Sequence, residues 1–295
     1  MMTSRYEDLL GRFAAWAESE NSIRGAAIVG SQARTDRPAD RWSDLDLVVY
    51  TTNPMPLITT TDWLDHIGPY WATFLEPTVG GHTERRVLFE EALDVDFVFL
   101  PVETLAGLAS DADTLAIVQR GVRVVLDKDG VLSRTVSSIP VPVEKVPVPP
   151  PDEAEFLNTV NDFLYHTVWT AKKLRRGELW VALGCVDNYL KWQCVLPLII
   201  WHARAAHGGA YDTWMNGRFL EQWADPRVVA ALPSAFGRYD ARDLWQALFG
   251  TMALVRWLAP ETAGLLGYDF PAQTAAQITA WVEACFAEWE AETKP

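Results

Sequence analysis

Two aspartates separated by one residue stand in the run Trp42-Ser43-Asp44-Leu45-Asp46-Leu47-Val48-Val49-Tyr50, whose apolar residues read as a buried strand. Alternate side chains of a strand share a face, so Asp44 and Asp46 point the same way while Leu45 and Leu47 point into a core. Two like charges this close repel unless a cation lies between them. Hard carboxylate oxygens on a rigid strand suit Mg²⁺, which completes its octahedron with water and phosphate oxygens. A third carboxylate is expected from a neighbouring strand, and Leu93-Asp94-Val95-Asp96-Phe97-Val98-Phe99 offers one. Asp96 is preferred to Asp94 because it lies within the apolar run rather than at its edge. Upstream, the short apolar run Gly25-Ala26-Ala27-Ile28-Val29 ends at Gly30-Ser31, and a polar loop separates this turn from Asp44.

The elements that must hold these residues change character near the middle of the chain. Residues 137–151 carry Pro140, Pro142, Pro147, Pro149, Pro150 and Pro151. Each proline ring removes an amide donor and fixes φ, so an extended linker is predicted there. Before it, residues 1–136 mix helix and strand. A helix is expected over Tyr6 to Glu18, strands at Gly25 to Val29, Leu45 to Tyr50, Arg85 to Phe89, Val95 to Leu100 and Val122 to Leu126, and helices at about Thr61 to Tyr70 and Val102 to Leu108. After it, residues 152–295 are helical throughout, with helices over about Asp152 to Arg176, Trp180 to Ala206, Ala241 to Leu258 and Ala272 to Glu292, and Gly208-Gly209 as the stop of the second. The expected fold class is α+β: a domain with a mixed β-sheet and flanking helices, followed by an all-α helical bundle. Ten of the fourteen tryptophans lie in the helical half, where big rings either fill helix interfaces or line a groove for a bulky ligand.

Composition narrows the partners. The 295 residues hold 25 Lys+Arg against 39 Asp+Glu, a formal charge of −14. Nucleic-acid binding draws its affinity from cationic side chains, so a generic nucleic-acid binder and a template-directed polymerase are both excluded, and a small cationic partner fits the field. The charged N-terminal residues lack a signal-peptide pattern, and no uncharged run approaches the length of a membrane span, so a cytoplasmic monomer with no membrane partner is expected. Cys185, Cys194 and Cys285 show no CxxC spacing and read as small apolar residues in helices.

Twelve residues separate Ser31 from Asp44, and the whole pattern of Gly-Ser, spacer, Asp-x-Asp and later strand carboxylate resembles the nucleotidyltransferase superfamily of DNA polymerase beta. The resemblance implies that Gly30 and Ser31 hold nucleotide phosphates, and that Asp44, Asp46 and Asp96 bind two divalent ions. Longer stretches look like the aminoglycoside 6-adenylyltransferases, the streptomycin-modifying branch. These are Ile23 to Ser31, Asp40 to Asp46, Asp62-Trp63-Leu64 and the strand before Leu100-Pro101, then Asn161-Asp162-Phe163, Ala171 to Leu179 and Asp187-Asn188-Tyr189. The likeness covers most of the chain. It implies a nucleotidyltransferase domain over 1–136 and a helical substrate-binding domain over 152–295. The implied reaction moves AMP from ATP to a hydroxyl of a small cationic acceptor, with Mg²⁺ and release of pyrophosphate.

In such a transfer a group near the acceptor hydroxyl and a cation near the triphosphate both help. Asp162 and Lys173 are eleven residues apart, which returns to nearly the same helix face about 16 Å along the axis. One stripe thus offers a carboxylate to the acceptor and an ammonium to the nucleotide, with His166 and Trp169 close to it. Two other readings stay open: the same reaction on another small molecule or a protein, and a non-catalytic, antitoxin-like nucleotide-binding module. A missing carboxylate would favour the last, and none is missing.

Overall fold

A computed structural model describes residues 4–34, 36–78, 81–108, 112–140 and 147–293. The chain divides into two compact units, Met1–Val143 and Glu144–Pro295.

The first unit is mixed α/β. Helix α1 (Ser4–Ser19) leads into β1 (Ile23–Val29), then come β2 (Leu45–Thr51), the short α2 (Pro54–Thr59), β3 (Tyr70–Pro77), β4 (Thr83–Phe89), β5 (Leu93–Pro101), α3 (Ala112–Arg120), β6 (Arg123–Asp127) and α4 (Val131–Ser138). The strands form one six-stranded sheet in the order β3-β4-β5-β2-β1-β6. Its central pair, β2 and β5, runs parallel, and the other neighbours run antiparallel.

Strand alternation assigns the two faces. Leu45, Leu47 and Val49 of β2 and Val95, Phe97 and Phe99 of β5 pack against the α1 stripe Tyr6, Leu9, Leu10, Phe13 and Ala17. Each large apolar side chain buried in this way contributes roughly 1.5–3 kcal/mol. On the opposite face Ala27 and Tyr50 join Leu105 and Leu132 in a second cluster. Asp46 and Asp96 belong to that opposite face by parity, but lie nearer the starts of their strands than Tyr50 and Leu100 do.

Several expected elements take a different form. The helix expected over Thr61 to Tyr70 is a single 3₁₀ turn, Asp62–His66, and residue 70 already opens β3. Gly68-Pro69 breaks the run, and the turn suffices to bury Trp63, Leu64 and Ile67. Val102–Gly107 is likewise 3₁₀ rather than α. Of the expected linker 137–151, Ser137 and Ser138 complete α4, and residues 141–146 lie outside the described residues.

The second unit is helical. Its elements are α5 (Glu153–Arg175), α6 (Leu179–Leu183), a π-helical segment (Gly184–Val195), α7 (Leu196–His207), α8 (Leu220–Trp223), α9 (Pro226–Ala235), α10 (Ala241–Leu266) and α11 (Ala272–Thr293). Asp152 caps α5, its side chain accepting from Glu155 N, and acidic residues in the first turn with basic ones in the last suit the helix dipole. The stretch expected to be one helix from Trp180 to Ala206 is three segments, the middle one π-helical. Within it the buried Lys191 Nζ donates to Val186 O and to Thr251 Oγ1, each at 2.7 Å. As expected, the last segment stops at Gly208, whose φ is +97°. Helix α10 runs past Pro260, because burial of Ala259, Thr262 and Ala263 outweighs the lost amide. Trp223 and Trp245 fill the core, the first of the two expected uses, whereas Trp180 and Trp192 are exposed. No helix among the described residues is long and apolar enough to cross a membrane.

Candidate active site

The carboxylates meet because β2 and β5 pair in parallel with Asp46 directly opposite Asp96. Asp44 precedes β2 by one residue, on the same parity as Asp46. One oxygen from each of Asp44, Asp46 and Asp96 lies within 4.8 Å of the others. The Gly-Ser turn closes the group from the other side of β2, since Val29 at the end of β1 pairs with Asp46. Gly30 has φ +67°, and a β-carbon there would overlap Asp46 Oδ2, so both backbone conformation and space demand glycine. The turn buries Ser31, whose Oγ lacks a hydrogen-bond partner, as do both amide atoms of Gln32. Unmatched polar atoms in a buried turn indicate a ligand or water that would complete them.

Burial sets the electrostatics. Asp96 is 7% exposed, and its carboxyl is pushed up to about 6, mainly by burial and further by Glu84, Asp44 and Asp94, with Arg86 opposing. Arg86 stands opposite Asp96 in the β4–β5 ladder, its Nη2 3.4 Å from Asp96 Oδ2. Its Nε also meets Glu76 at 2.7 Å and Glu84 at 2.8 Å. The face therefore carries an excess of carboxylates around one guanidinium, and a divalent cation would relieve it. Sequence reasoning missed Arg86 and Glu84. Their role depends on the pairing of β4 with β5, for which no local pattern gives a signal.

A second group near enough to hold a cation is His202, Asp225 and Glu261. There Arg227 already bonds both carboxylates, at 2.8 Å to Asp225 and 2.7 Å to Glu261, and supplies the compensating charge.

The expected residues of the helical unit fall into two groups on α5. Asp162 Oδ1 lies 2.5 Å from His166 Nδ1, and its Oδ2 accepts from Tyr189 Oη at 3.0 Å. Lys173 Nζ pairs with Glu178 at 2.8 Å and lies 5.0 Å from the centroid of Trp169. Glu178 in turn bonds Arg176 and is held below the usual carboxylate range, first by its hydrogen bond from Lys173.

A six-stranded mixed sheet bearing a Gly-Ser turn, an Asp-x-Asp strand start and a carboxylate from the parallel neighbour defines a nucleotidyltransferase. The family model described as streptomycin adenylyltransferase matches residues 3–285, and the chain belongs to this family. It is 21% identical over 272 residues to an aminoglycoside 6-adenylyltransferase of Bacillus subtilis, covering 90% of this chain and 92% of that protein. To an aminoglycoside 6-adenylyltransferase of Campylobacter jejuni it is 24% identical over 263 residues, covering 87% of each. A crystal structure of an aminoglycoside 6-adenyltransferase from Bacillus subtilis aligns over 95% of this chain and 97% of that one, with 21% identity and a TM-score of 0.43.

Proposed function

We propose that the protein transfers AMP from ATP to a hydroxyl of an aminoglycoside such as streptomycin, with pyrophosphate leaving. The observation that carries this reading is the convergence of Asp44, Asp46 and Asp96 beside a turn whose Ser31 Oγ is buried and unmatched. The donor set fits Mg²⁺: three hard oxygen ligands from adjacent strands, with excess negative charge around them. Bound there, two Mg²⁺ ions would acidify the attacking hydroxyl and neutralise charge building on the phosphate oxygens. Gly30 lets the backbone approach the phosphates, and Ser31 Oγ donates to them. Arg86 steadies Asp96 and offsets part of the carboxylate charge.

On this reading the first unit is the nucleotidyltransferase domain and the helical unit binds acceptor. Asp162 serves the acceptor hydroxyl and Lys173 the triphosphate, exchanging Glu178 for phosphate oxygens as it does so. The net charge of −14 supports a polycationic acceptor, because an acidic surface concentrates amines and guanidines.

The test is to incubate the protein with ATP, Mg²⁺ and streptomycin, then follow pyrophosphate and product mass. A product heavier by one adenylyl group is expected, with turnover falling by about 10²-fold or more in Asp44→Asn and Asp46→Asn. Mg²⁺-dependent ATP binding without transfer to any aminoglycoside would move the acceptor to another class. Failure to bind ATP at all would overturn the reading.

A further inference from the structure

We propose that β3 is a self-pairing edge: two copies of the chain join their β3 strands antiparallel about a two-fold axis at Thr73, continuing the sheet of one copy into the other. The proposal concerns the first unit alone and does not rest on the transfer reading above. It departs from the monomer expected from the sequence.

The two edges of the sheet differ. Strand β6 forms one edge, and α1 and α4 pack against it. Strand β3 forms the other, paired on one side with β4. An edge strand leaves every second residue with its N–H and C=O unpaired, and soluble proteins blunt such a row with lysines, inward charges or a covering helix. From Tyr70 to Leu75 no residue of β3 is charged. Its types, Tyr, Trp, Thr, Phe and Leu, are those that favour strands, and Trp71, Phe74 and Leu75 are 60%, 54% and 44% exposed. Blunting is confined to the ends of the strand. The ladder with β4 shifts register between Tyr70 and Ala72, and β3 closes at Pro77, which has no N–H to offer a neighbour. The centre of the edge stays open.

That centre is complementary to itself in one register. A two-fold axis normal to the sheet keeps every side chain on its own face, so only registers that pair residues of like parity are available. With Thr73 on the axis, Ala72 of each copy faces Phe74 of the other, Trp71 faces Leu75, and Tyr70 faces Glu76. A ring meets a small or aliphatic side chain in each apolar pair, and cross-strand pairs of this kind stabilise a sheet. The one charge, Glu76, already bonded to Arg86 of its own chain at 2.7 Å, meets a phenol rather than a second carboxylate. Moving the axis to Phe74 sets Trp71 against Pro77 and Ala72 against Glu76. Moving it to Ala72 sets Leu75 against Pro69, which lies outside the strand. Both alternatives lose an apolar pair.

The occupant is therefore a second copy of this chain. One such pairing uses the open edge of both copies, so association stops at the dimer. The strand pair is short beside a standard protein interface, and a dissociation constant of about 1–100 µM is expected.

The experiment is sedimentation velocity on the full chain from about 1 to 200 µM, the range that brackets such a constant. The unmutated chain should pass from one chain mass to two across this range, and Leu75→Asp, a change at an exposed side chain, should weaken association by about tenfold or more. Register is read by oxidative cross-linking. Residues directly opposite in a ladder lie within disulfide reach, so Thr73→Cys should give a covalent dimer and Leu75→Cys should not. Thr73 Oγ1 accepts from Arg85 Nη1 at 3.1 Å, so a mixture of Ala72→Cys with Phe74→Cys chains tests the same register without touching that bond. The mixture should cross-link where neither variant does alone. The unmutated chain, with Cys185, Cys194 and Cys285, is the control for other disulfides, and melting temperatures report that each variant is folded. A chain that remains monomeric at about 200 µM would overturn the proposal. So would a dimer that Leu75→Asp leaves unchanged, which would place the interface elsewhere, or a dimer in which neither Thr73→Cys nor the mixture cross-links.

Discussion

Gly30 and Asp46 share one volume: the space a β-carbon would take at residue 30 is held by Asp46 Oδ2. The Gly-Ser turn and the Asp-x-Asp strand are thereby built as one object. Gly30→Ala forces Asp46 aside and strains a backbone at φ +67°. We expect it to lower stability by about 2 kcal/mol and to abolish Mg²⁺-dependent ATP binding. Urea unfolding and calorimetric titration with ATP and Mg²⁺ measure the two effects. Retention of both would mean that the turn is not part of the site.

Asp96 is ionised at neutral pH against the cost of burial and of neighbouring carboxylates, with Arg86 as partial compensation. Removing its charge without removing its shape should therefore stabilise the metal-free protein while weakening metal binding. Asp96→Asn is expected to raise the melting temperature in EDTA, by an amount corresponding to about 1 kcal/mol, and to erase the further rise that Mg²⁺ gives the unmutated chain. Thermal scans with and without Mg²⁺ separate these terms. A lower melting point in EDTA would contradict the reading of Asp96 as a strained ligand.

Arg86 plays the opposite part, joining Glu76, Glu84 and Asp96 on one face of the sheet. Its truncation to Ala leaves three carboxylates without their shared cation. The metal-free variant should melt earlier, and Mg²⁺ should raise its melting temperature by more than it raises that of the unmutated chain, because the ion then carries the whole compensation. An equal Mg²⁺ response in both proteins would show that Arg86 and the metal do not share Asp96.

Lys191 gives the helical unit a pH signature. Burial lowers its ammonium from 10.5 to about 8, with Asp187 partly opposing. A base whose folded value lies below its unfolded one binds fewer protons folded, so stability rises as pH climbs from about 8 to about 10.5, by roughly 2–3 kcal/mol. Urea midpoints at about pH 7.5 and 9.5 should show this rise in the unmutated chain, and the difference should flatten in Lys191→Met. A variant with the same slope would assign the rise to other groups.

Much of the site was legible before any coordinates, because its signals are local. Strand parity alone put Asp44 and Asp46 on one face, and a positive-φ turn after β1 is what Gly30 is for. The stripe from Asp162 to Lys173 follows from helix geometry in the same way. Strand β3 was illegible for the matching reason. Trp71, Phe74 and Leu75 are exposed at the sheet edge, so the segment has no alternation to read, and its pairing with β4 supplies the hydrogen bonds that make it a strand.

What only tertiary structure decided is which distant groups share a space. Asp96 was recognisable as a strand carboxylate, but its place opposite Asp46 comes from the parallel β2–β5 register, and the placing of Arg86 from β4 against β5. The same holds for His166, an unremarkable helix residue until the π-helical segment brings Tyr189 to the carboxylate that holds it. Side-chain type and spacing act over a few residues and so fix parity and helix face. Register and segment packing are set by the burial of whole faces, a balance that depends on residues far apart in the chain.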